Sequence, residues 1–122
     1  MHKGTNIKEK TFCIWKNKFE AGLYCRVSTT NKASKFIEGI YATPDIKLKV
    51  WVHITLMKKG DYLMFYQNGK KLLEMKLKGK VVSNTGPLYI GKSCNYNGFF
   101  GCLDLIQIHN RALLDKEIAR AS

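Results

Sequence analysis

The residues best placed to do chemistry lie in the loop Lys92 to Phe100, KSCNYNGFF, where Asn95, Tyr96 and Asn97 set amide donors and acceptors beside an aromatic face. Hydrogen bonds to hydroxyls and stacking on the apolar side of a ring are what sugar recognition needs, so these three residues and Lys92 form the candidate ligand-binding set. Asn and Gly are also turn formers. A structural loop, with Phe99 and Phe100 packed inward, therefore stands beside the binding reading. Asp61 and Tyr62 at another loop are a second candidate, and Trp15 near the first hairpin a third.

Catalytic groups are harder to assemble. The histidines, His2, His53 and His109, are far apart in sequence, and no Ser or Cys lies in a nucleophile motif, so no catalytic residue is assigned. His53 reads as a packed strand histidine. Asp104 shares the parity of Ile106 and Ile108, so it is expected to point inward as a buried acid held by backbone amides or a lysine. Four cysteines, Cys13, Cys25, Cys94 and Cys102, suit two local bridges. In a hairpin centred near Phe19, Cys13 faces Cys25, and Cys94 and Cys102 flank the Asn95 to Phe100 loop. Such pairs can meet the limit of about 7 Å between Cα atoms. Free buried thiols fit the same positions, and neither CxxC spacing nor a histidine partner points to metal.

The elements that must carry these residues are mostly strands. Val50, Val52, Ile54 and Leu56 alternate with Trp51, His53, Thr55 and Met57, a strand apolar on both faces. Tyr62 to Gln67 and Lys70 to Leu77 flank Asn68-Gly69, the strongest short hairpin signal because both central residues need positive φ. That loop sets Met64 opposite Leu73 and Phe65 opposite Leu72. One face then carries Tyr62, Met64, Tyr66, Leu73, Met75 and Leu77, and is expected to be buried. Upstream, Thr11 to Trp15, Gly22 to Thr29 and Phe36 to Tyr41 read as strands. Downstream, Lys80 to Ser83 and Leu88 to Ile90 are short strands and Phe99 to His109 the longest. A helix is expected from a cap at Asp115 to about Arg120. Short strands with regular turns indicate an all-β antiparallel sandwich or jelly roll with a short C-terminal helix.

Motif order adds a resemblance. Trp51-Val-His53 comes first, then Tyr66-Gln-Asn68-Gly69, Pro87-Leu-Tyr-Ile-Gly91, Phe100-Gly101-x-Leu103-Asp104-x-Ile106-x-Ile108, and Asn110-Arg-Ala-Leu113 before Glu117-Ile118. This order, over about Lys49 to Ile118, resembles the laminin-G-like branch of the concanavalin A-like lectin and glucanase superfamily. The resemblance implies a β-sandwich that is a carbohydrate-binding or interaction module, extracellular or at a cell surface. Glucanase members cleave with a Glu-x-Asp-x-x-Glu cluster that sets two carboxyls about 5 Å apart. Here the acids are scattered singly, so the resemblance implies no enzyme. It offers calcium at the sandwich rim, with Asp61 and Asn95 as contributors but no supply of several carboxylates; no other cofactor is expected. Leu114 stands where a Ser often caps the last helix, so the cap is expected to move to Asp115. The short first half suggests a trimmed sandwich or a fragment whose missing edge a partner supplies.

Length and composition set the bounds. A chain of 122 residues has room for one domain, and 45% hydrophobic with 25% charged residues is ordinary for a globular fold. No apolar run approaches the roughly 20 residues of a membrane helix. The start, MHKGTNIKEK, lacks the apolar core of a signal peptide, so the chain is intracellular, already processed, or cut from something longer. The net charge of +12 comes almost wholly from Lys, the arginines being Arg26, Arg111 and Arg120. Such a field attracts polyanions such as nucleic acid, sulfated glycans or acidic membrane surfaces, and a solvated lysine-rich surface is the plainer reading of it. The partner expected is a glycan or an acidic protein, with a sulfated polyanion beside them. Lysine is a point charge without the planar fork that reads bases, which argues against sequence-specific nucleic-acid recognition.

Overall fold

The computed structural model describes residues 1–6, 8–16, 21–41, 43–94 and 98–122. Among the described residues, eight strands, a 3-10 helix at Lys32–Ser34 and one α-helix follow: β1 (His2–Lys3), β2 (Cys13–Lys16), β3 (Leu23–Ser28), β4 (Ile37–Ile40), β5 (Ile54–Lys59), β6 (Tyr62–Gln67), β7 (Lys70–Lys76), β8 (Leu88–Tyr89) and α1 (Asp115–Ala121). The strands form two antiparallel sheets, one ordered β4-β3-β2-β1-β8 and the other β5-β6-β7. They are laid face to face as a β-sandwich.

The five-stranded sheet is built around β3, which pairs with β2 through Ile14↔Cys25 and Trp15↔Tyr24 and with β4 through Cys25↔Ile40 and Arg26↔Gly39. Period-two alternation then divides its side chains. Leu23, Cys25 and Ile40 go inward, where they meet Phe65 of β6, with Ile14, Leu56, Leu73 and Met75 packed around them. Val27, Leu63 and Leu77 continue this inner layer. Burying a side chain such as Phe65 contributes about 2–3 kcal/mol through removal of apolar surface from water.

The β6–β7 hairpin has the turn its sequence demands, with Asn68 at φ 50° and Gly69 at φ 78°. Its register, however, departs from the simple two-residue count. Pairing begins at Gln67↔Lys70 and Tyr66↔Lys71, and a bulge between Phe65 and Tyr66 then sets Phe65 opposite Leu73 and Met64 opposite Glu74. An extra residue, Leu72, is taken up without a partner, and the two strands exchange faces at that point. Leu63 and Phe65 therefore turn into the sandwich with Leu73, while Met64 and Tyr66 face the opposite way. They are covered there by Ile118 of α1, with Ala112 and Leu113.

Further expectations need correction. The strand expected from Val50 begins at Ile54, and Val50 and Trp51 are exposed. The expected strand over Phe99 to His109 is not formed: the segment pairs with neither sheet, and Leu105 at φ 49° interrupts an extended backbone. Phe99 and Phe100 accordingly do not pack inward, and Leu103, Leu105, Ile106 and Ile108 are also exposed. The helix cap stays at Leu114 rather than moving to Asp115. Glu117 supplies it by accepting from Leu114 N at 2.7 Å, and Arg111 grips the same carboxylate at 2.7 Å and 2.9 Å.

Candidate ligand-binding face

The other face of the five-stranded sheet carries the polar and aromatic residues of the alternation. His2, Cys13, Trp15, Tyr24, Arg26 and Tyr89 share it, because His2 pairs with Cys13 and Tyr89, Cys13 with Arg26, and Trp15 with Tyr24. Each aromatic ring there has a cationic neighbour. Lys10 Nζ lies 5.0 Å from the centre of Trp15, and Lys92 Nζ lies 5.9 Å from that of Tyr89. The Arg26 guanidinium is held between two rings, 5.0 Å from Tyr24 and 4.3 Å from Tyr41. Such contacts contribute about 0.5–1 kcal/mol each at exposed sites, enough to fix the direction of a side chain.

Gly39, directly opposite Arg26, lets the β4 backbone lie close against that of β3. Its φ is 151°, and a Cβ there would meet the Cys25 carbonyl oxygen at 2.2 Å. Tyr41 closes the face at the β4 edge with 56% of its surface open to solvent. Arg26 Nε is buried with no hydrogen-bond partner among the described residues, and neither Arg26 nor Lys92 forms an ion pair among them. The face thus offers the open ring of Tyr41, the half-buried rings of Trp15, Tyr24 and Tyr89, a guanidinium with a donor to spare, and Lys92, while Lys10 is buried beneath Trp15. At its inner end, His2 is fully buried, with its ring edge-on to Trp15 at 5.5 Å and to Tyr89 at 6.3 Å. Burial lowers the pKa of Lys10 below the ordinary lysine value.

The sequence-derived candidates are separated by the fold. Lys92 stands beside Tyr89 on this face. Asn95, Tyr96 and Asn97 lie outside the described residues. Asp61 and Tyr62 lie at the β5–β6 turn on the other sheet, Asp61 lining a cleft of about 540 Å³ with Lys76, Leu77, Lys78 and Lys80. Asp61 by itself does not supply the six to eight oxygens that calcium takes. Among the described residues no three His, Cys, Asp or Glu side chains come together around one metal position. Of the face now seen, sequence reading singled out Trp15 and Lys92 and missed Tyr24, Arg26, Tyr41 and Tyr89. A hairpin centred near Phe19 sets Trp15 opposite Leu23 and hides the grouping; the observed register, one residue away, is what brings Trp15 level with Tyr24 and onto the face of Arg26.

The acids and thiols also differ from expectation. Asp104 is exposed, its carboxylate accepting from Leu105 N at 2.7 Å, because the strand that would have buried it is not formed. Glu38 is the buried acid instead. Burial pushes its pKa up, but donors from Thr29 Oγ1 at 2.6 Å, Lys78 N at 2.7 Å and Gly79 N at 2.8 Å outweigh this and hold it below the usual carboxylate range. All four cysteines are free thiols. Cys13 and Cys25 do not face each other, since the hairpin register is one residue away from the expected one and places them on opposite faces. Burial raises both, Cys25 to about 12, so neither ionises near neutral pH.

Comparison with known proteins agrees with this architecture. The Laminin_G_3 family model, described as the concanavalin A-like lectin/glucanases superfamily, matches residues 8–119. No curated protein matches the chain. Among solved structures, an S-layer domain-containing protein from Clostridium thermocellum ATCC 27405 is similar, with a TM-score of 0.56 and 22% identity over 90% of this chain. The chain spans 61% of the length of that structure. At this identity the likeness concerns the fold.

Proposed function

Because the chain belongs to the Laminin_G_3 family of the concanavalin A-like lectin/glucanases superfamily, we propose that it is a non-catalytic, lectin-like module that binds carbohydrate on the outer face of its five-stranded sheet. The observation that carries this reading is the run of rings with adjacent cations: Trp15 with Lys10, Tyr24 and Tyr41 with Arg26, and Tyr89 with Lys92. Rings present flat apolar surface to the C–H side of a sugar, and Arg and Lys donate to its hydroxyls or acidic substituents. The clamp on Arg26 reduces the side-chain freedom lost on binding. Support for a non-catalytic role comes from the acids, several of which serve structural bonds: Glu38 ties β4 to the segment after β7, Glu117 caps α1, and Asp115 accepts from Tyr66 Oη at 2.9 Å.

The test is a glycan array carrying neutral, carboxylated and sulfated sugars, probed with the wild-type chain and with Tyr41→Ala. Tyr41 is exposed, so its removal leaves the core intact. Binding to at least one sugar class, reduced about tenfold or more in the variant, supports the proposal. No binding to any class, or full binding by Tyr41→Ala, counts against it.

A second reading is favoured by one observation, the exposed apolar side chains of Phe100, Leu103, Leu105, Ile106 and Ile108. Contiguous exposed apolar surface marks interaction sites. In this reading the chain is a structural or protein-interaction module within a larger assembly, with these side chains at the contact and its lysine-rich surface facing an acidic partner. Pull-down of such a partner, unaffected by competing sugars and lost at high salt, distinguishes it from the first.

A further inference from the structure

Where β1 meets the segment after β8, the cysteine and histidine form an oriented pair. Cys94 Sγ lies 3.8 Å from His2 Nδ1, and His2 Nε2 lies 2.8 Å from the Glu9 carbonyl oxygen. A carbonyl oxygen only accepts, so Nε2 carries the proton and Nδ1 is left as the acceptor facing the thiol. The ring is fixed further by its edge contacts with Trp15 and Tyr89. A nucleophile, a base within reach and a third group orienting the base are the parts of an activated thiol. The groups around the pair are Lys10, within electrostatic reach of both Cys13 and Cys94, the buried thiol Cys13 on β2, Tyr89 on β8, and Lys92 beside it. Cys94 itself is partly exposed. The adjacent Ser93 hydroxyl is buried with no hydrogen-bond partner among the described residues, a group of the kind that a bound molecule's polar atoms satisfy.

We propose that Cys94 is a thiol–disulfide exchange site that takes small-molecule disulfides, with His2 as its base. The Cys94 sulfur attacks one sulfur of the disulfide, a new S–S bond forms, and the original S–S bond breaks with its electron pair leaving on the departing sulfur. The Cys94 proton passes to His2 Nδ1 and then to the departing thiolate, so the exchange needs no other oxidant or reductant. His2 meanwhile keeps its bond to Glu9 through Nε2. The site does not depend on the sugar-binding reading. The other thiols give the contrast: Cys13 and Cys25 are fully buried, and Cys102 is exposed with no hydrogen bond among the described residues.

The experiment treats the full chain with oxidised glutathione near neutral pH, quenches with acid at intervals, and reads the adduct at each cysteine by peptide mass spectrometry. Cys94 is expected to react about tenfold or more faster than Cys102 although it is less exposed, a threshold set below the roughly 10²–10⁴-fold that a positioned base supplies. In urea the two rates become equal, and His2→Gln brings Cys94 down to the rate of Cys102. Because His2 is buried and the variant can lose its fold, the native-to-urea ratio in the wild-type chain is decisive without it. Cys102 reacting as fast as Cys94 in the native chain overturns the proposal, and so does a folded His2→Gln variant that keeps the fast rate.

Discussion

Glu38 shows how one side chain can hold two sheets together. Its carboxylate takes Thr29 Oγ1 from the end of β3 and the Lys78 and Gly79 amides beyond β7. Replacing it with alanine leaves three donors without their acceptor in a buried setting, so Glu38→Ala is expected to lose about 2–3 kcal/mol in urea unfolding. Its folded pKa lies below the ordinary value, so its contribution is present above about pH 4.3 and is lost as the pH falls. Glu117 has the same sign and a clearer signature. Arg111 and the Leu114 amide hold its pKa down at about 2. Acidification from about pH 4.3 toward 2 should fray α1 in the wild type, and far-ultraviolet circular dichroism should show that loss absent in Glu117→Gln. An unchanged acid transition in the variant contradicts the role given to the cap.

At the scale of elements, alternation and turn chemistry were enough to read most strands from the sequence, β6 and β7 and the Asn68-Gly69 turn above all. The bulge at Phe65 was not legible, because it arises from burial competing with register. Phe65, Leu73 and Met75 all reach the core only if Leu72 is left without a partner. β1 was missed because two residues carry no periodicity. The candidate face was read only at Trp15 and Lys92 for a related reason: its rings come from β2, β3, β8 and the end of β4, and only sheet order places them together. The segment after Gly98 shows the opposite failure, since its alternation indicated a strand and the segment pairs with neither sheet. Phe100→Ser and Leu105→Lys are therefore expected to change unfolding free energy by no more than about 0.5 kcal/mol. By contrast, Ile118→Ala, which removes the anchor of α1 over Met57 and Met64, should cost about 2–5 kcal/mol. A large loss in Phe100→Ser would mean that this segment is buried in solution.

Taken whole, the molecule is a sandwich whose two outer faces are used differently. The face of the three-stranded sheet is closed by α1, with the Tyr66 hydroxyl, its pKa raised to about 12 by burial and Asp115, donating to the helix start. The face of the five-stranded sheet presents aromatic rings under a net charge of +12. Association with a sulfated or carboxylated sugar should weaken with rising salt, whereas binding of a neutral sugar should not, because screening acts on the charge and not on ring stacking. The most direct measurement is amide chemical-shift mapping during titration with the sugar that binds best. The largest shifts are expected on Trp15, Tyr24, Arg26, Tyr41 and Tyr89. Shifts confined to the Asp61–Tyr62 turn, or no shifts at saturating sugar, would contradict binding on the five-stranded sheet.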